Sequence, residues 1–513
     1  MMWENIKIMI LDYFPKYKLK NTSDIPIMPD ERIPIIPSFF LSFQHILAMF
    51  GGNILCPLLM GFSTNSALFF SGVGTLIFYV CTGGKVPSYL GSSFAFIGVV
   101  NSATGYIYSP GTTNPNISPA AGGIVVCGFI YLAIGLLVMV AGHAWIEFLT
   151  PPVVTGSVIV SIGLHLANSA VGQAATTGFD AWMAALTILL VVMITCYAPG
   201  PLKRLPILIG GVVSYVVYLL CGLGGVGPGI DFSVVSDAKW IGLPQTHLPS
   251  FDSTYISMIA PVAVILAAEN IGHLKAVSSM TEYSMDNLLG RTFIGDALAC
   301  ILAGFFGSSG TTTYAENIGV MSITKIFSTL SFVFAACIAI VLGCLPIFGA
   351  IVQTIPPGIF GGLSIVLFGI TAITGAKLWI NSQVDFSKPR NLLTAGISIV
   401  LGTGMISVNV EWGKIKIDAI GVSTFVSIIL YQLLRENWGT IFRNILAKIT
   451  GRSFKQSDDC EETIENPQYS NLLKPLIENQ GINSSDYNEF NNEDNENNNY
   501  EPFKDNDEEI IQN

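Results

Sequence analysis

Two ionisable side chains lie one helical turn apart inside an apolar stretch of this 513-residue sequence. Glu269 and His273 are four residues apart, which places both on the same face of a helix. A carboxylate and an imidazole held side by side can accept and release a proton. Ionisable groups are costly inside long apolar runs and usually mark a functional site. We therefore interpret Glu269 and His273 as a proton-coupling pair.

Three more ionisable side chains lie inside apolar runs. Glu316 follows a short stretch of glycine and hydroxyl residues, and we interpret it as the second carboxylate of a binding site. His45 is a candidate either for proton coupling or for a hydrogen bond between two helices. Asp296 is a candidate either for proton coupling or for a structural bond to a hydroxyl or backbone group.

Motifs for hydrolytic enzymes and metal sites do not occur in the sequence. It contains no HExxH, no GxSxG and no closely spaced metal ligands, and its nine cysteines are isolated from one another. We therefore expect no enzyme activity, no metal and no cofactor, with the proton as the coupling ion.

The composition is that of a membrane protein. Hydrophobic residues make up 51% of the chain and charged residues only 12%, about half of the usual charged share. Apolar runs of about 20 residues recur, and that length crosses ~30 Å of hydrocarbon as a helix. The sequence therefore predicts an all-α polytopic membrane protein embedded in a lipid bilayer.

Hydropathy divides the chain into two halves of seven segments, about fourteen transmembrane segments in all. The segments of the first half cover residues 38–59, 67–83, 86–101, 121–142, 152–171, 181–199 and 205–227. Those of the second half cover residues 256–275, 291–307, 311–324, 326–349, 358–376, 391–408 and 417–436. The predicted regions are a cytoplasmic N-terminal segment (1–36), a first repeat (37–227), an extracellular linker (228–255), a second repeat (256–436) and a tail (437–513).

Charge is distributed unevenly along the chain. The net charge of −11 arises in the C-terminal tail, where sixteen acidic residues and two lysines follow residue 455. This acidic, asparagine-rich tail should be disordered, and nothing in the sequence indicates binding to nucleic acid. Nine basic residues fall in the loops on one side of the predicted segments and three on the other. The positive-inside rule then places both termini in the cytoplasm, and we expect a plasma-membrane location.

Segments 3 and 10 differ from ordinary membrane helices. Residues 86–96 and 307–320 are short and polar, and each contains glycine followed by small hydroxyl residues. Each is the third segment of its half, and seven segments per half make the two repeats inverted. Glycine and serine also permit tight helix packing. However, matching interrupted segments in two inverted halves indicate a substrate site at the membrane midplane.

The residue types at this site suit a flat polar ring. The free N–H groups at helix N-termini can donate to ligand carbonyls, and carboxylates accept from ligand N–H groups. Phe94 or Tyr314 could contact the face of the ring. Uracil and xanthine have such an edge, but these residue types alone do not distinguish a nucleobase from other polar amides.

Five motifs carry a resemblance to a known family, and the similarity spans roughly residues 35–435. The motifs are Phe43–Gly51, Tyr89–Ile97, Ala268–His273, Phe305–Gly307 and Thr312–Lys325. The chain resembles the nucleobase–cation symporter-2, or nucleobase–ascorbate transporter, family, and most of all its bacterial uracil-permease branch. The resemblance implies a core domain (segments 1–4 and 8–11) that carries substrate and moves against a gate domain (segments 5–7 and 12–14). It also suggests a homodimer.

The resemblance further assigns roles within the site. Glu269 and Glu316 match the substrate-binding glutamates, whereas Phe94 and Ala315 match positions whose backbone N–H groups contact the base. His273 matches the histidine linked to proton coupling, and His45 matches a polar position near the site. The implied function is proton-coupled uracil symport by alternating access.

Two residues depart from the pattern of the uracil branch. Ala315 replaces an expected glycine, and its methyl group narrows the pocket. Asp296 occurs where the uracil branch tends to have a neutral residue and the purine branch an acid. Glu316, in contrast, is the uracil-type residue at a position where the resemblance implies glutamine in many xanthine carriers. A xanthine or uric acid permease of the same family is therefore the alternative. An anion carrier of the same architecture is disfavoured because paired carboxylates repel anions.

Overall fold

Long helices and two very short strand–helix units alternate along the chain. The structure is a computed structural model that describes residues 13–21, 25–199, 205–405, 410–412 and 415–435. The helices are α1 (Ile35–Met60), α2 (Thr64–Cys81), α3 (Ala95–Thr104), α4 (Ile117–Ala141), α5 (Ala144–Leu149), α6 (Pro152–Ala174), α7 (Gly178–Tyr197), α8 (Pro206–Leu223), α9 (Ser233–Ser236), α10 (Ser253–Ile259), α11 (Val262–Thr281), α12 (Leu289–Phe305), α13 (Ala315–Thr324), α14 (Thr329–Gly343), α15 (Pro346–Gln353), α16 (Pro357–Asn381), α17 (Pro389–Gly404) and α18 (Ala419–Leu433). The strands are β1 (Lys18–Leu19), β2 (Glu31–Arg32), β3 (Leu90–Ser92), β4 (Thr311–Thr313), β5 (Val410–Trp412) and β6 (Ile415–Ile417). The strands pair as β1–β2, β3–β4 and β5–β6.

The all-α polytopic class is confirmed, and each predicted segment coincides with one or two of these elements. Within the described residues, nine helical spans are long and apolar enough to cross a membrane when α10 and α11 count as one, or ten if α14 and α15 form one bent span. Because the remaining segments are shorter or more polar, the total of fourteen stays a prediction. The predicted tail, residues 437–513, lies outside the described residues.

Two segments that hydropathy presents as continuous are divided by proline. Segment 8 consists of α10 and α11, with Pro261 at the junction. Segment 11 consists of α14 and α15, which are bent by 76° just before Pro346. Proline has no N–H to donate and its ring obstructs the preceding turn, so it interrupts a helix.

Helix packing falls into two groups that match the core and gate domains implied by the resemblance. In the core group, segment 4 packs along segment 9, and segment 11 packs along segment 2. In the gate group, segment 5 packs along segment 12, segment 6 against segment 7, and segment 13 against segment 14. Each segment of the first half corresponds to the segment seven places later. Pair 4–9 then corresponds to pair 11–2, and pair 6–7 to pair 13–14, which is the packing pattern of two structural repeats.

A segment before α1 holds the C-terminal end of α13. We call it the N-terminal clasp (residues 13–21 and 25–33). The Ile27 N–H donates to the Lys325 carbonyl oxygen at 3.0 Å, and the Phe327 N–H donates to the Ile27 carbonyl oxygen at 2.8 Å. Ile27 is fully buried in a small cluster of apolar side chains from the clasp, α1 and α13. The clasp therefore anchors the end of α13 that is remote from Glu316.

We expect Thr329→Val to destabilise the contact between the clasp and the core. The buried Thr329 hydroxyl lies 2.6 Å from the Tyr17 hydroxyl, 2.9 Å from the Gly84 carbonyl and 3.1 Å from the Pro29 carbonyl. Removing a hydrogen-bonded buried group costs about 1–3 kcal/mol. The apparent melting temperature in detergent should fall by about 3 °C or more. Thr329→Ser keeps the hydroxyl and should stay near wild type; equal melting temperatures for all three proteins would contradict this role.

Candidate functional site

Segments 3 and 10 meet in a buried antiparallel strand pair between the two repeats. Leu90 lies opposite Thr313, and Ser92 lies opposite Thr311. The pairing is extended by the hydrogen bonds Ser93 N–H to Gly310 O (2.9 Å) and Tyr314 N–H to Tyr89 O (3.1 Å). Backbone groups inside a membrane must be satisfied by protein because lipid offers no partner. Each short strand therefore supplies hydrogen-bond partners for the other.

Segments 3 and 10 approach closely where β3 pairs with β4, a place that we call the crossing, and glycine permits this approach. A Cβ added at Gly91 would overlap the Tyr314 ring and the Asn53 side-chain oxygen. At Gly310 it would overlap the ring of Phe96. Contact between the two segments thus explains Gly91 and Gly310.

Two helices begin at the crossing. The Ala95 N–H, the first of α3, donates to the Ser93 hydroxyl oxygen at 3.3 Å. Helix α3 starts after Phe94 and helix α13 starts after Tyr314, and neither N-cap side chain accepts a hydrogen bond. Uncapped N–H groups of the first turn carry partial positive charge and can donate to a ligand. Phe94 and Ala315 are both only half-buried. The positions predicted to offer backbone donors are therefore at two helix starts whose N-cap side chains accept no hydrogen bond.

The two candidate glutamates lie beside the strand pair. Glu269 projects from α11 and Glu316 from the first turn of α13. They are close enough to interact electrostatically, and Glu269 is also within reach of Thr312. Both are half-buried, and none of the ion pairs found among the described residues includes either one. The arrangement can therefore present two carboxylates to a ligand that supplies N–H groups.

His273 is attached to the strand pair. Its Nδ1 lies 2.8 Å from the Thr313 hydroxyl, which links α11 to β4. We expected His273 to interact with Glu269 along the helix, but its hydrogen bond in the structure is to Thr313. A small cavity next to His273 is also lined by Ser88 and Asn270, so one side of the imidazole borders space rather than packed atoms.

His45 and Asp296, the two other candidate residues, are buried in the core group. His45 is fully buried, with its Nδ1 3.1 Å from the Asn317 amide nitrogen and its ring 4.5 Å from that of Phe332. Asp296 is also fully buried and accepts a hydrogen bond from Asn270 Nδ2 at 3.2 Å. Both hydrogen bonds are to uncharged amide side chains. Asp296 is also close enough to Glu269 to interact with it electrostatically.

Tyr314 has a hydrogen-bonded hydroxyl. Its oxygen lies 2.8 Å from the Ser92 carbonyl oxygen and 3.1 Å from Asn53 Oδ1. Its ring meets that of Phe94 edge to face at 6.5 Å. Sequence reasoning missed Asn53 and Asn317, although a buried amide inside an apolar helix is itself a signal.

Comparison with known proteins identifies the family. A family model described as "Permease family" matches residues 37–411. The chain is 48% identical over 424 residues to "Putative pyrimidine permease RutG" of Escherichia coli (strain K12), covering 82% of this chain and 95% of that protein. It is 35% identical over 423 residues to "Uracil permease" of Paenibacillus larvae subsp. larvae, covering 79% of this chain and 96% of that protein.

A solved structure shares the fold. The murine Solute Carrier 26 family member A9 anion transporter, in its inward-facing state, aligns with a TM-score of 0.59 at 12% identity. The alignment covers 93% of this chain and 81% of that one. At this identity the likeness concerns architecture alone, whereas the sequence matches concern the family. The chain therefore belongs to this permease family, the nucleobase–ascorbate transporter family that its motifs resemble, and is a multi-pass membrane permease rather than an enzyme.

Proposed function

We propose that the protein is a uracil permease that couples uptake to protons. The observation that carries the proposal is the position of two half-buried carboxylates, Glu269 and Glu316, beside two helix starts whose N-cap side chains accept no hydrogen bond. Uracil alternates N–H and C=O groups around its edge. The carboxylates would accept from its N–H groups, and the N–H groups at Phe94 and Ala315 would donate to its carbonyls.

Proton coupling follows from the electrostatics of the same site. Two carboxylates near each other in a largely apolar interior repel, and no ion pair found in the described part of the chain offsets either charge. A proton held by one of them would remove that repulsion and leave the other as an acceptor. We propose Glu269 as the group that binds the proton, with His273 at the adjoining cavity as its relay.

Alternating access would be a movement of the core group against the gate group. The strand pair and both glutamates belong to the core group, whose contacts with the gate group are sparser than those inside either group. Gly98 of α3 packs against His165 and Ile420 of the gate, where an added Cβ would lie 2.7 Å from the Ile420 side chain. Because Gly98 has no side chain to obstruct movement, this contact would let the core group slide against the gate group.

The relatives favour a pyrimidine as substrate. Their printed names are pyrimidine and uracil permeases, whereas Asp296 is the feature that favours a purine such as xanthine or uric acid. Asp296 accepts a hydrogen bond from the Asn270 side chain, and we therefore propose a structural role for it. An anion carrier would need basic groups where this site presents Glu269 and Glu316. We also propose a plasma-membrane location with cytoplasmic termini, and a homodimer.

Uptake by the purified full-length chain tests the proposal. Proteoliposomes should accumulate radiolabelled uracil above the external concentration when an inward proton gradient is imposed, and a protonophore should abolish the accumulation. Thymine should compete, whereas xanthine and uric acid should compete only weakly. Accumulation without a gradient would overturn proton coupling, preferential purine uptake would overturn the pyrimidine assignment, and no nucleobase uptake would overturn the function.

A further inference from the structure

One fully buried amide joins three segments of the core at the crossing. Asn53 lies in α1. Its Oδ1 is 2.7 Å from the backbone nitrogen of Ser92 in β3 and 3.1 Å from the hydroxyl of Tyr314, which immediately precedes α13. The Tyr314 hydroxyl is in turn 2.8 Å from the Ser92 carbonyl oxygen. We call these three residues, Asn53, Ser92 and Tyr314, the Asn53 hub.

The partners determine which way the amide faces. The Ser92 backbone N–H can only donate, so the atom that faces it must be the amide oxygen rather than the NH2 group. The NH2 nitrogen of Asn53 then lies 2.7 Å from the Met49 sulfur, which is a weak acceptor. The side chain therefore acts in the hub as an acceptor shared by Ser92 and Tyr314.

The hub is packed without free space. A Cβ added at Gly52 would lie 2.7 Å from the Tyr314 hydroxyl oxygen and 3.1 Å from Cζ of Phe94. A Cβ at Gly91 would overlap both the Tyr314 ring and Asn53 Oδ1. A shift of the Asn53 acceptor must therefore move Ser92 or Tyr314.

We propose that Asn53 is a positioning residue for nucleobase binding that sets the two helix starts at a fixed distance from each other. Ser92 is two residues before Phe94, and Tyr314 directly precedes Ala315 and Glu316. The hub therefore aligns the donors of α3 with the donors and the carboxylate of α13. This inference rests on the proposed function, because the ligand that it positions is the base.

A matched pair of substitutions tests the hub. Valine and threonine have nearly the same shape and the same β-branched restriction on a helix, but only threonine has a buried oxygen that can accept. Asn53→Val should raise the KM for uracil by about tenfold or more, because the buried Ser92 N–H loses its acceptor and the Tyr314 hydroxyl loses one of its two. The maximal rate per molecule in the membrane should stay within about twofold. Asn53→Thr should restore the KM to within about threefold of wild type.

A purely structural role would give a different result. It would lower the amount of protein in the membrane while leaving the KM of the remaining molecules unchanged, and that outcome for Asn53→Val would overturn the proposal. Equal KM values for the valine and threonine variants would also overturn it, since the acceptor oxygen would then be irrelevant.

A double-mutant cycle locates the effect in the hub. Tyr314→Phe removes only the hydroxyl that Asn53 shares with Ser92. Both changes break the same bond. The fold increase in KM for the double variant, Asn53→Val with Tyr314→Phe, should therefore be smaller than the product of the fold increases for the two single variants. Strict multiplication of the two effects would mean that the residues act independently, against the proposal.

A disulfide cross-link tests the positioning role of the hub without measuring transport. The hydroxyls of Ser92 and Ser309 lie 2.5 Å apart across the two broken segments. Ser92→Cys with Ser309→Cys should therefore form a disulfide when diamide is added as the oxidant, and the product is identified by peptide mass. Adding Asn53→Val should slow its formation by about tenfold, whereas adding Asn53→Thr should not. Equal cross-linking rates would overturn the positioning role. Failure of the wild-type chain to take up uracil would instead refute the proposed function.

Discussion

Glu269→Gln is expected to lower gradient-driven uracil accumulation by about 100-fold or more. Glutamine keeps the size of the side chain, but it cannot bind and release a proton, and its NH2 group can face the N–H of the base as a second donor. Loss of a neutral hydrogen bond costs about 0.5–1.5 kcal/mol, and loss of coupling removes the driving force for accumulation as well. The measurement is uptake of labelled uracil into proteoliposomes with an imposed proton gradient.

The same helix offers a matched control for this variant. Glu282, at the end of α11, is exposed to solvent, so Glu282→Gln should leave uptake within about twofold of wild type. Exchange of labelled for unlabelled uracil without a gradient adds a second test. If Glu269→Gln exchanges uracil but no longer accumulates it, the loss lies in coupling. Accumulation above half of the wild-type level would refute the role of Glu269.

Glu316→Gln should raise the KM for uracil by about 30-fold. Glu316 lies in the first turn of an uncapped helix, where a carboxylate is stabilised by the N-terminal partial charge. Glutamine would replace a charge-assisted acceptor with one neutral acceptor and one donor, which costs about 2 kcal/mol. The change is measured by the concentration dependence of uptake.

Substrate competition gives this variant a second readout. Because the resemblance links glutamine at this position to xanthine carriers, competition by xanthine should strengthen relative to thymine in Glu316→Gln. Glu316→Asp keeps the charge on a shorter side chain, and its KM should fall between those of wild type and the glutamine variant. An unchanged KM together with unchanged competition would remove Glu316 from the substrate site.

The fold could be predicted in outline because membrane burial imposes strong patterns. Apolar runs mark each helix, and the glycine and hydroxyl residues of segments 3 and 10 mark the strand–helix units. The division of segments 8 and 11 was missed. Hydropathy is a sum over many residues, and one proline, such as Pro261 or Pro346, hardly changes it. Proline acts instead through a single missing donor and a steric clash.

The site could be predicted only where a residue is unusual by itself. An acidic side chain in an apolar run, such as Glu269 or Glu316, stands out without knowledge of its neighbours. The hydrogen-bond partner of a polar residue does not stand out in this way, because it can be far away in the sequence. Thr313 is 40 residues beyond His273, and Tyr314 is 261 residues beyond Asn53. One sequence contains no signal that pairs such distant polar residues, so the bond from His273 to Thr313 and the Asn53 hub required a structure. The substrate roles of these residues stay predictions.

The pairing of β3 with β4 has a consequence for biosynthesis. The two strands come from opposite repeats, and 219 residues separate Ser92 from its partner Thr311. At about 5–20 residues per second, the ribosome takes roughly 10–45 s to make that stretch. During this interval β3 has already emerged and has no strand to accept its hydrogen bonds, at a cost of several kcal/mol for each group exposed to lipid. Until the second repeat has been made, the backbone groups of β3 must therefore be hydrogen-bonded by water or kept from lipid by the insertion machinery.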